Sequence, residues 1–371
     1  MNLTDTAILV KRLAVIMVFF LVGFFIFKYF FVLVRALYLN INPPAPPPVT
    51  TIFGKLPPIT VPHLKVEGVE SIAYTVDTPT GKFPNLPIQA KVFAIPHAPA
   101  TLLSESRARA LAHSFSFNNE PTRVSSSELH FDDVPGSRTF DINIVTGNFN
   151  IATDNPTLSL NLEPGTSPTQ AQAINSALGL FTNKQLLTTD YISGTQKTTL
   201  VKIVTGNLAE AGSISEAQLV DVSLFRQADK LNIYGADPSK GLIRVLISGN
   251  PQATYPLITY NSWPLETTKV GTYPLKSVDK AFSELKSGVG GYVYLKLRGQ
   301  DAYATYSPLN ITQVSVRTVE LGYYDNDKIQ NYLQPIYIFS GLFKTTGGSD
   351  GDFTAYVPAV DTSWISSPLT K

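Results

Sequence analysis

Apolar and polar positions change rhythm several times along this chain. From Leu13 to Val34 the run LAVIMVFFLVGFFIFKYFFVLV is apolar at nearly every position, with Lys28 as its one charge. About 20 residues at 1.5 Å rise cover a hydrocarbon core of roughly 30 Å, so the length predicts a lipid-contacting, membrane-spanning helix within residues 13–39. Lys28 can carry its ammonium to the headgroups while its stem stays in lipid. A cleaved signal would need a small-x-small site after the run, and neither VRALYLNIN nor PPAPPP supplies a good one. An uncleaved anchor is therefore expected, over a buried core helix or a processed signal. Lys11 and Arg12 before the span are balanced by Lys28 and Arg35, so charge does not orient it. The charge-poor remainder does: residues 1–12 form a cytoplasmic stub, and the chain beyond about Leu39 is placed outside the cytoplasmic membrane.

Next comes NPPAPPPVTTIFGKLPPITVP, Asn42 to Pro62, where proline removes donors and fixes φ. Residues 40–62 are expected to form a semi-rigid, largely polyproline-II linker that stands the folded part off the membrane. After it, VESIAYTVDT and IQAKVFAIP alternate as strands. Leu103, Ala110, Leu111 and Phe115 recur at helical spacing, which predicts a helix from about Ser104 to Ser116. SSSELHF, RTFDINIV and NFNIAT then alternate as short strands between turn signals. A second helix is predicted in GTSPTQAQAINSALGLF, with Ser167 or Thr166 as N-cap, Pro168 in the first turn and Gly179 near its end. QLVDVSLFRQ, LNIYG and GLIRVLISG read as strands, KSVDKAFSELKSG as a third helix from Ser277 to Gly288, and GYVYLKL as another strand. The fold class is therefore α+β, antiparallel sheets each packed against a helix. Two domains are expected, at 63–165 and 166–371.

The 371 residues have a net charge of +1 and only 15% charged side chains, against roughly 25% in an average soluble protein. No basic field is present to attract nucleic acid. With no cysteine, disulfides, thiolate nucleophiles and thiolate metal sites are excluded. No motif for a cofactor or a small-molecule substrate is evident.

Two stretches carry a family likeness. YPLKSVDKAFSELKSG and VSVRTVELGYYDNDKIQNYLQPIYIFSG resemble the extracytoplasmic part of the YycH/YycI-type regulatory proteins, which share features with PepSY-like domains. RALAHSFSF and FDINIVTGNF look loosely like the other half of that family. The resemblance implies one membrane-spanning helix and an external part that restrains a sensor histidine kinase through protein contacts. Function is then expected to be protein binding, as a regulator or accessory subunit of an envelope signalling system, with a structural or adhesive envelope protein as the alternative. No enzymatic activity is expected.

The tyrosines of ELGYYDNDKIQNYLQPIYIF raise the question of core or contact. Alternate strand residues face opposite sides, so Tyr323 and Tyr324 cannot share one core, and one of them is expected to face out. Pro335 argues against a central strand. Tyr324, Tyr332 and Tyr337 are the candidate partner-binding residues. Competing chemistry is weaker. Ser349 in GGSDG matches a nucleophile elbow, but a strand-like run follows it and no histidine lies beyond His130. Ser277 and Ser283 match S-x-x-K without its companion motifs, and a helix cap explains Ser277. The four histidines, His63, His97, His113 and His130, lack zinc spacing. DNDK and DGD could supply calcium oxygens but depart from the loop pattern, so polar turns are expected.

Overall fold

The computed structural model describes residues 3–41, 48–67, 72–97, 99–133, 138–153, 162–250, 255–326 and 328–367. The chain forms two compact units, Met1–Pro48 and Val49–Lys371. The first is a helix, α1, Leu3–Ile41. Its stretch Ile16–Tyr38 is long and apolar enough to cross a membrane, and none of it is buried. Phe19, Phe20, Phe27 and Phe31 all point outward, as in a helix that is apolar all round. A signal sequence passes the same test of length and composition.

The second unit is mostly sheet. Its described elements begin with Val66–Glu67 (β1), Ala73–Val76 (β2) and Gln89–Ala94 (β3), then helix Leu102–Ser114 (α2). A meander follows: Thr122–Arg123 (β4), Glu128–Asp133 (β5), Arg138–Asn143 (β6) and Phe149–Thr153 (β7). Helices Gln170–Asn183 (α3) and Thr189–Ile192 (α4) precede Gln196–Val204 (β8), Asn207–Glu210 (β9) and Leu219–Leu224 (β10). Then come Gln227–Ala228 (β11), Leu231–Tyr234 (β12), Ile243–Ser248 (β13), Leu257–Tyr260 (β14) and Glu266–Pro274 (β15). Helix Val278–Lys286 (α5), Gly291–Leu297 (β16) and the long strands Leu309–Tyr324 (β17), Tyr332–Thr345 (β18) and Asp350–Pro358 (β19) complete it.

These strands build two sheets. One has nine described strands in the order β4-β5-β6-β7-β14-β13-β10-β8-β9, every neighbour antiparallel. The other runs β11-β12-β17-β18-β19-β16, with β1 and β2 added in parallel on β17 and β3 bridging β18 to β15. The expected boundary at 165/166 therefore cuts through both sheets. β7 is completed by β14, through Phe149↔Tyr260 and Ile151↔Ile258, while β3 belongs to the sheet of β18. Local alternation shows a strand's two faces but not which distant strand will satisfy its edge.

Helix starts follow side-chain caps. α2 begins two residues before the expected Ser104, because Thr101 caps it and Ser104 closes a capping box. α3 is capped by Thr169, reciprocated by Gln172, so Pro168 precedes the cap and Gly179 lies inside the helix. Ser167 is no cap, and its buried hydroxyl has no hydrogen-bond partner among the described residues. α5 starts at Ser277, whose hydroxyl accepts from Lys280, and ends before Gly288 at φ +79. Ala173, Ala177 and Phe181 of α3 pack into the core against β10 and β13, and Ala281, Phe282 and Leu285 of α5 pack beside β19.

The Pro-rich segment departs most from expectation. Residues 42–47 lie outside the described residues, but from Val49 onward the segment is docked and is no free spacer. Thr50 and Thr51 donate to the Thr272 carbonyl, Phe53 to the Tyr273 hydroxyl, and Leu56 to the Trp364 carbonyl at 2.8 Å. Leu56 is fully buried and Val61 nearly so. Prolines lack donors, yet their carbonyls still accept: Gln334 Nε2 donates to the Pro57 oxygen at 3.0 Å.

Candidate functional site

A strand presents alternate side chains to one face, and the register of the nine-stranded sheet aligns seven strands on the same phase. His130 (β5) is opposite Asp141 (β6), which is opposite Asn150 (β7), then Thr259 (β14), Arg244 (β13), Ser223 (β10) and Lys197 (β8). Six inter-strand steps of about 4.8 Å make this polar row roughly 29 Å long. The opposite face of the same strands carries Phe131, Phe140, Ile151, Ile258, Val245 and Val222, all in the core. One face is thus buried and the other polar, as antiparallel sheets allow.

The row is a set of local pairs. His130 Nδ1 lies 2.6 Å from Asp141 and Nε2 3.0 Å from Asp132. The Asp141 hydrogen bond raises its pKa against the opposing effect of burial, with Asp132 adding to the rise. A pKa raised above the unfolded value of about 6.5 means that the histidine's stabilisation is complete below that pH and is lost as pH rises through the folded value. An NMR titration of the ring is expected to give a midpoint above 6.5, returning toward 6.5 in Asp141→Asn. At the other end Arg244 grips Asp221 through Nε at 2.8 Å and Nη2 at 2.6 Å, and the Tyr303 hydroxyl donates to the same carboxylate at 2.7 Å.

Two hollows open along this face. A groove of about 430 Å³ is lined by Asp141, Asn143, Asn148, Asn150, Thr259 and Asn261 among others. A cleft of about 360 Å³ lies between β8 and β10 on one side and β16 with the 302–303 segment on the other. Lys197, Asp221, Ser223, Tyr294 and Lys296 face into the cleft.

A buried ionic junction lies where the chain crosses between the sheets. Arg226 sits between β10 of one sheet and β11 of the other, with only 1% of its side chain exposed. Its Nη2 donates to Asp325 at 2.6 Å, and its Nη1 to Asp190 at 3.2 Å and to the Trp263 carbonyl at 2.7 Å. Trp263 is itself on the crossing from β14 to β15, and its indole donates to the Asn326 carbonyl. Burial pushes the Asp325 carboxyl up to about 6, while the Arg226 guanidinium pulls against that rise. The Arg226 pKa is itself raised, with burial lowering it and the Asp325 charge as the largest effect raising it, so the guanidinium keeps its proton throughout.

The expected contact residues fall elsewhere. Tyr324 and Tyr337 are 2% and 1% exposed and belong to the core, which corrects their reading as a partner surface. Tyr337 donates to the Lys276 carbonyl at 2.7 Å, and Tyr324 packs against Tyr356. Tyr332 is half-buried and its ring lies 4.9 Å from Phe53 of the docked segment. Tyr323 and Tyr324 do point to opposite sides, but both sides are covered: Tyr323 enters the core with Phe93, Tyr324 the one with Val61 and Tyr356. Neither tyrosine faces out as expected. Pro335 is accommodated inside β18 because its carbonyl accepts from Ala359. A residue's N–H and C=O point to the same strand edge, so the missing donor faces the end of β19 and no β17 bond is lost.

The other candidates have structural roles. Ser349 is exposed in the β18–β19 turn, where its carbonyl accepts from Thr345. Ser283 donates to the Asp279 carbonyl within α5. His63, His97, His113 and His130 are on separate elements, and among the described residues no group of three metal-ligating side chains forms. Asp325 of DNDK is held by Arg226, Asp350 of DGD lies 3.0 Å from Arg298, and Asp327 lies outside the described residues. Sequence reasoning missed the junction and the asparagines. The alternation D-I-N-I and N-F-N-I, from Asp141 and from Asn148, was the available signal for the latter.

The chain matches no family model and no curated protein. Among solved structures it is similar to an uncharacterized protein from Eubacterium rectale ATCC 33656, at 11% identity and a TM-score of 0.43, over 74% of this chain and 84% of that one. A likeness of that size assigns no function.

Proposed function

We propose that this chain is a single-pass membrane protein whose Val49–Lys371 unit acts outside the cytoplasmic membrane by binding other proteins. The observation that carries the reading is α1: over Ile16–Tyr38 its apolar side chains are exposed on every side, an arrangement suited to lipid. The finer reading is a regulator or accessory subunit of an envelope signalling system, of the YycH/YycI type that acts on a sensor histidine kinase. Support for it is the likeness of VELGYYDNDKIQNYLQPIYIFSG, the β17–β18 hairpin at the centre of its sheet. Mechanism would be positional, with differential contact to a partner's two states shifting their balance. The polar face of the nine-stranded sheet favours a second reading, an adhesive or structural envelope protein.

Crosslinking in native membranes, comparing the intact chain with one lacking residues 1–39, tests these readings. Recovery of a histidine kinase or another polytopic protein, lost without α1, is the expected result. Recovery of only the protein itself or wall material replaces the first reading by the second, and an intact chain released by alkaline carbonate removes both.

A further inference from the structure

We infer that the groove across β5, β6, β7 and β14 binds a neutral carbohydrate chain. This goes beyond the reading above and needs no protein partner. Three asparagines in the groove have their carbonyl oxygens committed to the fold. Asn143 Oδ1 accepts from the backbone of Val145 and Thr146 at 3.0 and 3.1 Å. Asn148 Oδ1 accepts from the Ser262 backbone at 3.0 Å, and Asn150 Oδ1 from the Thr259 hydroxyl at 3.1 Å. Each carboxamide is thereby held in one orientation, and its two Nδ2 donors have no partner within the described protein.

Asn148 is only 9% exposed and lines the groove. The fold therefore keeps oriented, uncharged donors in a hollow of about 430 Å³. Acceptors complete the set: the Asp141 carboxylate, already engaged by His130, and the Asn261 side chain lie on the same wall.

Charge separates the possible ligands. Among the described residues the groove lining contains no lysine or arginine and two carboxylates, Asp141 and Glu128, so it holds nothing to neutralise a phosphate or sulfate polymer and would repel one. A peptide adding as a strand needs an open edge, whereas the groove floor is a paired sheet whose backbone bonds go to neighbouring strands. A polyhydroxyl chain offers what these groups lack, uncharged hydroxyls that accept from Nδ2 and donate to carboxylate and carbonyl oxygens.

The test uses the full chain in lipid nanodiscs. Saturation-transfer NMR and calorimetry would follow neutral tetrasaccharides (β-1,4-N-acetylglucosamine, β-1,4-glucose and α-1,4-glucose) and a sulfated heparin tetrasaccharide. Binding of at least one neutral tetrasaccharide at millimolar concentration is expected, weakened about tenfold, the effect of one lost hydrogen bond, in Asn148→Asp and in Asn150→Asp. Aspartate keeps the oxygen that the fold uses and removes the donors. Lys197→Ala is expected to change nothing. Should Asn148→Asp fail to fold, Asn150→Asp carries the comparison. The assignment is overturned if no neutral tetrasaccharide binds, if the folded Asn→Asp variants bind as before, or if only the sulfated one binds and Lys197→Ala abolishes it.

Discussion

Replacing Arg226 with methionine is expected to cost about 3–5 kcal/mol of unfolding free energy near neutral pH. The guanidinium is the charge partner of a carboxylate with no exposure at all, and its removal leaves Asp325 buried, with the Gln330 amide at 3.1 Å as its remaining side-chain partner among the described residues. The pH dependence makes the prediction sharper. Burial pushes Asp325 up to about 6 from its ordinary 3.8, so the stability linked to its proton is complete below about pH 4 and is lost as pH rises through about 6. Without Arg226 the carboxyl climbs further, and the variant's deficit should be small near pH 4 and grow toward pH 8. Urea unfolding at several pH values measures this. Adding Asp325→Leu to Arg226→Met should recover most of the loss, since an apolar pair can replace a buried ionic one. A loss below about 1 kcal/mol at every pH would place the pair among weak surface bridges.

Truncating Leu56 to alanine is expected to cost about 2–5 kcal/mol, the range for a buried leucine. Leu56 is fully buried among Val92, Tyr273 and Val360, and its backbone bonds Trp364 and Ser366. The effect should be local first. Hydrogen exchange is expected to speed up at Thr50, Thr51, Leu56 and Ser366, whose amides hold the segment to β15 and to the C-terminal residues. Unchanged protection at those amides would mean that the segment is not held by this contact, contrary to the packing described.

Fold and candidate site were legible in the sequence to different depths. The α5 boundaries at Ser277 and Gly288 were readable because cap and stop act within a few residues. Strand phases were readable too, since alternation separates Tyr323 from Tyr324 and Asp141 from Ile142. Whether both faces would be covered was not, because that depends on what packs on each side: Phe93 and Val61, each more than two hundred residues away along the chain, do so here.

By itself, the sequence determined an apolar helix long enough for a bilayer, an α+β alternation rich in antiparallel strands, and the absence of cysteine chemistry. All three follow from composition and short-range periodicity, which each residue carries with it. Tertiary structure alone decided that the Pro-rich segment docks from Val49, that Arg226 meets Asp325 between two sheets, and that seven polar residues from distant strands share one row. Those depend on long-range register, and a shift of one residue in any strand would turn its side chains to the other face.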